Sequence, residues 1–491
     1  MPNHELPLLP LILDNVPMGL VQALAQEGVP FRHRWKGAMS GRFVLFDSRR
    51  GPCPPLGYGQ EGIDVDRLRE GSDGDPFEAL LDHRSARYQW QIASLTVAED
   101  IARVDRRAIR KLVLRQLRRR LEAAGGIWLR VSPFPYPYRS AINFRIDYDE
   151  YDPADFDATL AAIAGHEEAT SHFVNAAAYL PHADVLHRLE GLDVGSHGFR
   201  HHTYRTRQEN FENIRRGIES LEAFGIEPSG FVAPHGRFNR GLLDAMEALR
   251  IGHSSEFALA YDDLPFFPYG SPGGCVESAV LQIPIHPLCL GMFLENVRGD
   301  GPRRAAATQQ VVRAAVDYFR QTARARYRSG EPLFFYGHPT RRLGRFPQLL
   351  RAVFDTADAF GAIWKTSLTA FAAWWRVRGS MRLSVTRQGE QFTVKSRRLP
   401  PGYRVGVEFS RGRHVARMPL DGLQLRFQPS ALAYENRVHL SGVRPVRVDW
   451  PEGLRDHVRR MIDWECVTPI DEIPTDSWRN LAKRTLRRWS A

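Results

Sequence analysis

The sequence predicts an α/β protein in which a barrel of alternating strands and helices is flanked by a small α/β region and by an antiparallel β-sandwich. The 491 residues are too many for one ordinary hydrophobic core, so several domains are expected. From about residue 140, apolar strand-like runs alternate with helical patterns, which favours parallel strands with right-handed crossovers. Beyond residue 375 the apolar residues recur at every second position, which is typical of antiparallel strands.

Residues 1–130 are predicted to form a small α/β region without a chemical signature. Strand-like LPLIL and RFVLFDS lie on either side of the helical GLVQALAQEG, and helical material is expected after the Gly/Pro-rich RRGPCPPLGYGQEG. In the arginine-rich run 106–120 and just after it, five apolar side chains share one helical face: Ile109, Leu112, Val113, Leu117 and Leu121. This pattern favours an amphipathic helix packed on its own protein, with contact to an anionic membrane or glycan surface as the alternative.

Residues 131–378 are predicted to form the barrel. Seven strand-like runs occur in this segment: AINFRID, SHFVN, LDVGS, GFVA, IGHSS, LFFYG and AIWK. Helical patterns such as QENFENIRRGIESLEAFG separate them. About seven β–α units in roughly 240 residues fit a closed barrel of parallel strands.

Residues 379–453 are predicted to form the β-sandwich, and residues 454–491 a basic helical tail. The apolar positions that alternate with polar ones are Leu383/Val385, Phe392/Val394, Tyr403/Val405/Val407/Phe409, Leu423/Leu425/Phe427 and Val446/Val448/Trp450. Such alternation places one face of each strand in a core and the other in solvent.

The charge and the cysteine content indicate which partners and which compartment to expect. The net charge of +11 is spread along the chain and accompanies no nucleic-acid-binding motif, so no nucleic acid is expected as a partner. No apolar run is long enough to span a membrane, and the first residues lack the basic segment of a secretory signal. The four cysteines are widely spaced and form no CxxC, so a reducing cytoplasm is the expected compartment. The oligomeric state is left open.

The stretch GSHGFRHHT contains a candidate pair of metal ligands. On a helical turn His197 and His201 share a face, whereas His202 is rotated by about 140° from His197. His197 also follows a predicted strand directly, at the end where α/β barrels hold their active sites. We therefore expect His197 and His201, but not His202, to bind a metal if one is present.

A third ligand is available at the end of the first predicted barrel strand, in FRIDYDEYD. Arg145 and Asp147 can face inward there, with Asp149 at the mouth. One carboxylate and two imidazoles leave coordination positions open for water and substrate, as in catalytic zinc sites, and a second carboxylate can accept a proton. The alternative is that DYDEYD is only an acidic loop.

Four motifs occur in a characteristic order: the D-x-D of residues 147–149, the H-x-x-x-H of residues 197–201, FVAPHG (231–236) and FYGHPTRRLGR (335–345). This arrangement resembles the polysaccharide deacetylase (NodB-homology, carbohydrate esterase family 4) superfamily. It is especially similar to the branch of cytoplasmic-type peptidoglycan deacetylases and allantoinase-like proteins. The resemblance covers roughly residues 138–377, about half of the chain, and implies a distorted (β/α)7-type barrel.

The resemblance also implies a role for each matching residue. Asp149, His197 and His201 would hold a divalent metal ion, with zinc expected. Asp147 would act as the general base and His338 as the general acid that protonates the leaving amine. The backbone N–H of His235 would stabilise the oxyanion, and Asp262 or Asp263 is expected to line the cleft.

The chain departs from the family pattern at Val232, where the family usually has an arginine that braces the catalytic aspartate. Arg145 and Arg237 are the candidate substitutes. A second histidine, His286 in LQIPIHPLCLG, competes with His338 for the role of acid. A buried strand histidine is the favoured interpretation of His286, because His338 follows a strand end that faces the predicted mouth.

These features predict a metal-dependent hydrolase that removes the N-acetyl group from an amino sugar in a polysaccharide or glycan precursor. One alternative keeps the site but changes the substrate to a small amide, as in a deformylase or an allantoinase-like enzyme. Another, motivated by Val232, is a catalytically decayed carbohydrate-binding protein. A mononuclear iron oxygenase also uses two histidines and a carboxylate, but the histidine spacing and the predicted parallel strands disfavour it.

Overall fold

The computed structural model describes residues 6–34, 40–71, 74–269, 276–437 and 443–448, together with residues 478, 481, 482 and 485. It is a mixed α/β structure with several sheets, as the sequence predicts. The predicted basic tail, residues 454–491, lies outside the described residues except for four positions. Among the helices that the structure describes, none is long and apolar enough to cross a membrane.

A four-stranded parallel sheet forms the first part of the chain. Its strands are β1 (Leu11–Asp14), β2 (Phe31–His33), β3 (Phe43–Phe46) and β4 (Glu61–Asp64), in the order β2-β1-β3-β4. Helix α1 (Met18–Glu27) connects β1 to β2, and it ends at Gly28, whose φ of 82° is the left-handed conformation that glycine adopts without strain. The first part of the chain thus combines parallel strands with a connecting helix.

The segment after this sheet differs from the expected helical material. A short helix, α2 (Pro76–Ala79), is followed by an antiparallel hairpin of β5 (Ser85–Ile92) and β6 (Leu95–Ala102), and only then by α3 (Arg106–Ala123) and β7 (Leu129–Val131). The expectation was wrong for the hairpin because its apolar residues alternate. Trp90 and Ile92 on β5 and Leu95 and Val97 on β6 are buried.

Helix α3 packs on the protein itself. Its buried side chains are Arg106, Arg110, Val113, Leu114, Leu117 and Leu121. Leu114 thus belongs to the buried face, whereas Leu112 is only partly buried. The Arg110 guanidinium lies 2.7 Å from the Asp263 carboxylate and also pairs with Glu27. The two buried arginines of this helix therefore face the protein interior.

The central strands are parallel. Strand β8 (Ser140–Tyr148) is buried along its whole length and pairs with β9 (Thr170–Val174) and β13 (Leu333–Gly337), and β9 pairs with β10 (Val194–Ser196). Strand β11 (His253–Ser254) pairs with β12 (Leu281–Gln282), which is not among the seven predicted runs. The predicted run AIWK forms β14 (Ile363–Lys365), which pairs with the beginning of β8.

Isolated backbone hydrogen bonds, rather than longer strand ladders, connect the remaining central segments. Val232 N donates to Ser196 O at 3.1 Å, and Phe231 N donates to His253 O at 3.2 Å. Beyond β12, His286 N donates to Phe334 O of β13 at 2.9 Å. Because the paired strands are parallel, the residues that follow β8, β10 and β13 lie at the same end of the sheet.

Eight helices accompany the central strands in the part of the chain that the structure describes. They are α4 (Pro153–Ile163), α5 (Ala176–Tyr179), α6 (Arg207–Glu222), α7 (Arg240–Ala248), α8 (Leu290–Leu294), α9 (Gly301–Ser329), α10 (Gln348–Asp358) and α11 (Leu368–Ser380). Polar side chains cap several of their N-termini: the Asp152 carboxylate accepts from Asp155 N, and the Asn239 side chain accepts from Leu242 N. Apolar residues of strands and helices, among them Phe144, Phe319 and Phe371, share one core.

The segment after α11 contains antiparallel strands, as its period-two pattern predicts. Its strands are β15 (Leu383–Gln388), β16 (Gln391–Ser396), β17 (Gly406–Arg411), β18 (His414–Pro419), β19 (Gln424–Phe427), β20 (Glu435–Asn436) and β21 (Val446–Arg447). They form the sheets β15-β16-β19 and β20-β18-β17-β7, whereas β21 pairs with β5. Val385 and Val407 share a core with Leu11 and Val113, so these strands pack against the N-terminal part of the chain.

Candidate metal centre

Three side chains that the sequence singles out as metal ligands meet at one end of the central sheet. Nε2 of His197 lies 3.3 Å from Asp149 Oδ1, and Nε2 of His201 lies 3.2 Å from the same oxygen. One ligand atom from each side chain lies within 4.8 Å of the others. No other group of three His, Cys, Asp or Glu side chains in the described part of the chain has such an arrangement.

The positions of these residues follow from the strands that precede them. Asp149 directly follows β8, and His197 directly follows β10. His338 follows β13, and its Nε2 lies 3.5 Å from Asp149 Oδ2. The carboxyl ends of parallel strands are the usual location of active sites in α/β proteins.

The two histidines do not meet through a helical turn. Residues 197–203 form an irregular loop, and helix α6 begins only at Arg207. Gly198 has a φ of 84°, and the Asn213 side chain accepts from Arg200 N at 2.8 Å and donates to His202 O at 3.1 Å. The expected helical turn was wrong because this loop is shaped by a glycine and by contacts to a residue on α6. His202 is buried, with its ring 4.5 Å from that of Tyr204.

The hydrogen bond of His197 determines which of its nitrogens is free to bind a metal. Its Nδ1 lies 2.8 Å from the backbone carbonyl of Val232. A carbonyl only accepts, so Nδ1 carries a proton, and in the neutral ring Nε2 presents its lone pair. Nε2 is the nitrogen that faces Asp149. Val232 therefore contributes to the site through its backbone.

Asp147, the predicted base, is paired with Arg145. Nη2 of Arg145 donates to Asp147 Oδ2 at 2.7 Å, and Nη1 donates to the backbone carbonyl of Ser255 at 2.6 Å. The guanidinium also lies 4.8 Å from the ring centre of Tyr336. Both partners are buried, and Arg145 rather than Arg237 forms this pair. The other oxygen, Asp147 Oδ1, is buried and has no hydrogen-bond partner among the described residues.

The donor set suits a divalent cation. The Nε2 lone pair of His197 faces a carboxylate oxygen at 3.3 Å, so two acceptors oppose each other unless a proton or a metal ion lies between them. Two imidazoles and one carboxylate are ligands that zinc accepts. Burial alone would raise the pKa of Asp149, but the nearby His201 and His338 outweigh it and hold this pKa well below its usual value.

His338 is held by an arginine. Its Nδ1 accepts a hydrogen bond from Nη1 of Arg342 at 2.6 Å, which leaves the imidazole proton on Nε2, toward Asp149. Burial lowers the pKa of His338 to about 4, and Arg342 acts in the same direction against the opposite effect of Asp149. His338 is therefore neutral at physiological pH and donates from Nε2.

His235 lies beside the three candidate ligands. It occupies the middle of the turn Pro234–Gly236 with a φ of 59°, a conformation that costs energy for a residue other than glycine. Its ring lies 4.7 Å from that of His201, edge to face. The turn therefore places the side chain of His235 beside the candidate ligand His201.

Other predicted residues lie elsewhere. Asp262 pairs with His286 and Arg326, and Asp263 pairs with Arg110. The expectation that Asp262 or Asp263 lines the cleft was wrong, because both carboxylates neutralise buried arginines away from it. His286 is 3% exposed and its Nε2 lies 3.1 Å from the Tyr318 hydroxyl, so it is a buried histidine, as the sequence favours.

Asp149, one of the three candidate ligands, opens onto a cleft of about 190 Å³. It is lined by Asp147, Asp149, Glu150, His338, Pro339, Thr340, Arg341 and Arg342.

Sequence reasoning missed Arg342, although it lies four positions after His338 within the motif that singles out this histidine. It also missed Glu256, which accepts hydrogen bonds from Ala233 N and the Ser254 hydroxyl and whose pKa burial raises to about 7. The signal for Glu256 was a carboxylate directly after the strand-like run IGHSS.

Comparison with known proteins gives structural neighbours only. No protein-family model matches the chain, and no curated protein matches it by sequence. A protein from Mycobacterium smegmatis assigned as a polysaccharide deacetylase is 17% identical, with 52% of this chain and 98% of that one covered and a TM-score of 0.40. One from Pseudomonas aeruginosa PAO1 with the same assignment is 20% identical, with 50% and 94% covered and a TM-score of 0.40.

The allantoinase Puue is also similar, at 18% identity, with 50% of this chain and 93% of that one covered and a TM-score of 0.39. Further neighbours include a pseudoenzyme of carbohydrate esterase family 4. Two of these neighbours are assigned as polysaccharide deacetylases, the kind of protein that the four motifs resemble. Their TM-scores are low, however, so the likeness does not decide what the site does.

Proposed function

We propose that the chain is a metal-dependent hydrolase of the polysaccharide deacetylase superfamily, which removes the acetyl group from the nitrogen of an amino sugar in a glycan. The proposal includes a distorted (β/α)7-type barrel over residues 131–378. The observation that carries it is the fixed tautomer of His197, whose Nε2 lone pair faces Asp149 at 3.3 Å. Such an arrangement of acceptors is stable around a cation.

Asp149, His197 and His201 would hold the divalent ion, with zinc as the expected metal. When bound, such an ion polarises an amide carbonyl and makes a nearby water more acidic. The orientation of His197 depends on the Val232 carbonyl, because this hydrogen bond fixes the ring and leaves Nε2 as the ligand atom. Exchanging the Val232 side chain would leave this bond in place.

Asp147 would act as the general base. Its oxygen Oδ2 is held by Arg145, whereas its buried oxygen Oδ1 has no partner in the described part of the chain and can accept a proton from the attacking water. The guanidinium of Arg145 would hold the carboxylate in its orientation. In this proposal Arg145 takes the place of the arginine that the family has at position 232.

His338, as a neutral imidazole, would donate a hydrogen bond from Nε2 to the leaving nitrogen, and the proton itself would come from Asp147. It lines the same cleft as Asp147, and the hydrogen bond from Arg342 leaves its proton on Nε2. Water adds to the carbonyl carbon, the C–N bond breaks, and the products are acetate and a free amine. The proton that Asp147 takes from the water is the one that the leaving nitrogen receives, so the reaction balances.

The test is release of acetate from N-acetylated oligosaccharides by the purified full chain. We expect turnover that a chelator abolishes and zinc restores, and a loss of at least 100-fold in Asp147→Asn and in His197→Ala. His187→Ala is the matched control, since His187 is exposed and outside the site. Formate or a ring-opened product from small amides would instead support a different amide substrate. Zinc binding without any turnover would support a carbohydrate-binding protein and contradict the proposal.

A further inference from the structure

Arg342 is a half-buried cation in the wall of the proposed active-site cleft. One of its N–H groups donates to His338 Nδ1. Among the described residues, no carboxylate forms an ion pair with it, whereas the buried arginine of the same site, Arg145, is paired with Asp147. A guanidinium carries five N–H donors in a planar fork, so most of those of Arg342 remain available to a ligand.

The backbone around Arg342 holds it in this place. Arg341 has a φ of 59°, and its backbone N–H donates to Asp155 Oδ2 at 2.5 Å. On the other side, a Cβ atom at Gly291 would lie 2.6 Å from Nε of Arg342, so the guanidinium occupies space that only a glycine leaves free. The position of Arg342 thus requires a strained backbone conformation at Arg341 and a glycine at position 291.

The carboxylates of the cleft do not neutralise this charge. Asp147 is paired with Arg145, and Asp149 faces His197 and His201. Glu150 is exposed at the rim and is not within ion-pair distance of Arg342 among the contacts of the described residues. A ligand in the cleft therefore meets a positive charge on the His338 side.

We propose that Arg342 determines substrate specificity by binding an anionic group, a carboxylate or a phosphate, carried by the sugar whose N-acyl amide is at the metal site. The inference rests on the proposed function, because it takes an N-acyl sugar as the occupant of the cleft. A planar guanidinium suits both anions, which accept two parallel N–H donors. The contact adds to the hydrogen bond with His338 and does not replace it.

The experiment measures binding and hydrolysis of four probes by the zinc-loaded full chain. The neutral probe is N-acetylglucosamine, and the anionic probes are its 6-phosphate, its 6-carboxylate and its 3-O-lactyl ether. We expect at least one anionic probe to bind about 10- to 100-fold more tightly than the neutral one, as a charge-assisted pair predicts. The preferred probe distinguishes phosphate from carboxylate. In Arg342→Gln this preference is expected to vanish, and in Arg342→Lys to survive in part.

Arg345→Gln is the control for the loss of one positive charge, because Arg345 is exposed and does not line the cleft. It should retain the preference. Equal affinity of the wild-type protein for all probes, or an undiminished preference in Arg342→Gln, would overturn the inference. So would an Arg342→Gln variant in which turnover of neutral and anionic substrates falls by the same factor, which indicates only a positioning role toward His338. An anion preference in binding without hydrolysis would uphold the role of Arg342 and contradict the proposed hydrolase.

Discussion

Replacing Arg145 by methionine tests the pair that holds the proposed base. The substitution keeps much of the side-chain volume but removes a guanidinium that is 1% exposed and donates at 2.7 Å to Asp147 and at 2.6 Å to Ser255 O. Removing one partner of a buried ion pair costs about 3–5 kcal/mol, because the other charge stays buried without compensation. We expect a loss of that size in the free energy of unfolding, measured by denaturant titration.

Turnover of an N-acetylated oligosaccharide should fall by about 10²–10⁴-fold in the same variant, since Asp147 loses the group that orients it. The control is Arg345→Met. Arg345 is 58% exposed and lies 3.7 Å from Asp155, so its loss should change stability by less than about 0.5 kcal/mol. The double variant Arg145→Met/Asp147→Asn should recover part of the stability. An Arg145→Met protein that is as stable and as active as the wild type would refute this role of Arg145.

Two other substitutions test the surroundings of the site. Burial raises the pKa of Glu256 to about 7 from its ordinary value of 4.5, so the folded protein binds a proton that the unfolded chain has released. The contribution of this group to stability is therefore present below about pH 4.5 and is lost as the pH rises to about 7. Relative to the wild type, Glu256→Gln should gain about 3 kcal/mol between pH 4 and pH 8, and parallel stability curves would contradict this. Gly198→Ala should destabilise by about 1–3 kcal/mol and weaken zinc binding, because Gly198 has a φ of 84° and the new Cβ would lie 2.7 Å from Asn213 Nδ2. Gly361→Ala, with open space around the new Cβ, should change neither property.

The alternation of strands and helices was enough to place the chemistry-bearing residues at strand ends. Asp149, His197 and His338 follow three parallel strands, and the geometry of parallel pairing then brings them to one end of the sheet. Local periodicity reports which face of an element is apolar. Periodicity in the sequence therefore predicted the longer central strands better than it predicted β12. This strand has only two residues, which are too few to show a period.

Contacts between residues that are far apart in the chain could not be predicted from the sequence. Hydrogen bonds with Asn213 of α6 hold the loop that carries His201. Asp262 forms an ion pair with Arg326 instead of lining the cleft. The hydrogen bond from Arg342 to His338 spans only four residues, but it depends on the left-handed conformation of Arg341. A backbone conformation of this kind has no hydrophobic pattern by which it could be predicted.

The central claim, that Asp149, His197 and His201 form a metal site, is tested most directly by equilibrium zinc binding to the purified full chain. We predict one bound ion per chain, at least a 100-fold loss of affinity in His197→Ala, and unchanged affinity in His202→Gln, because His202 packs against Tyr204 outside the site. A wild-type protein that binds no divalent ion, or a His197→Ala variant that binds zinc as tightly as the wild type, would contradict the account.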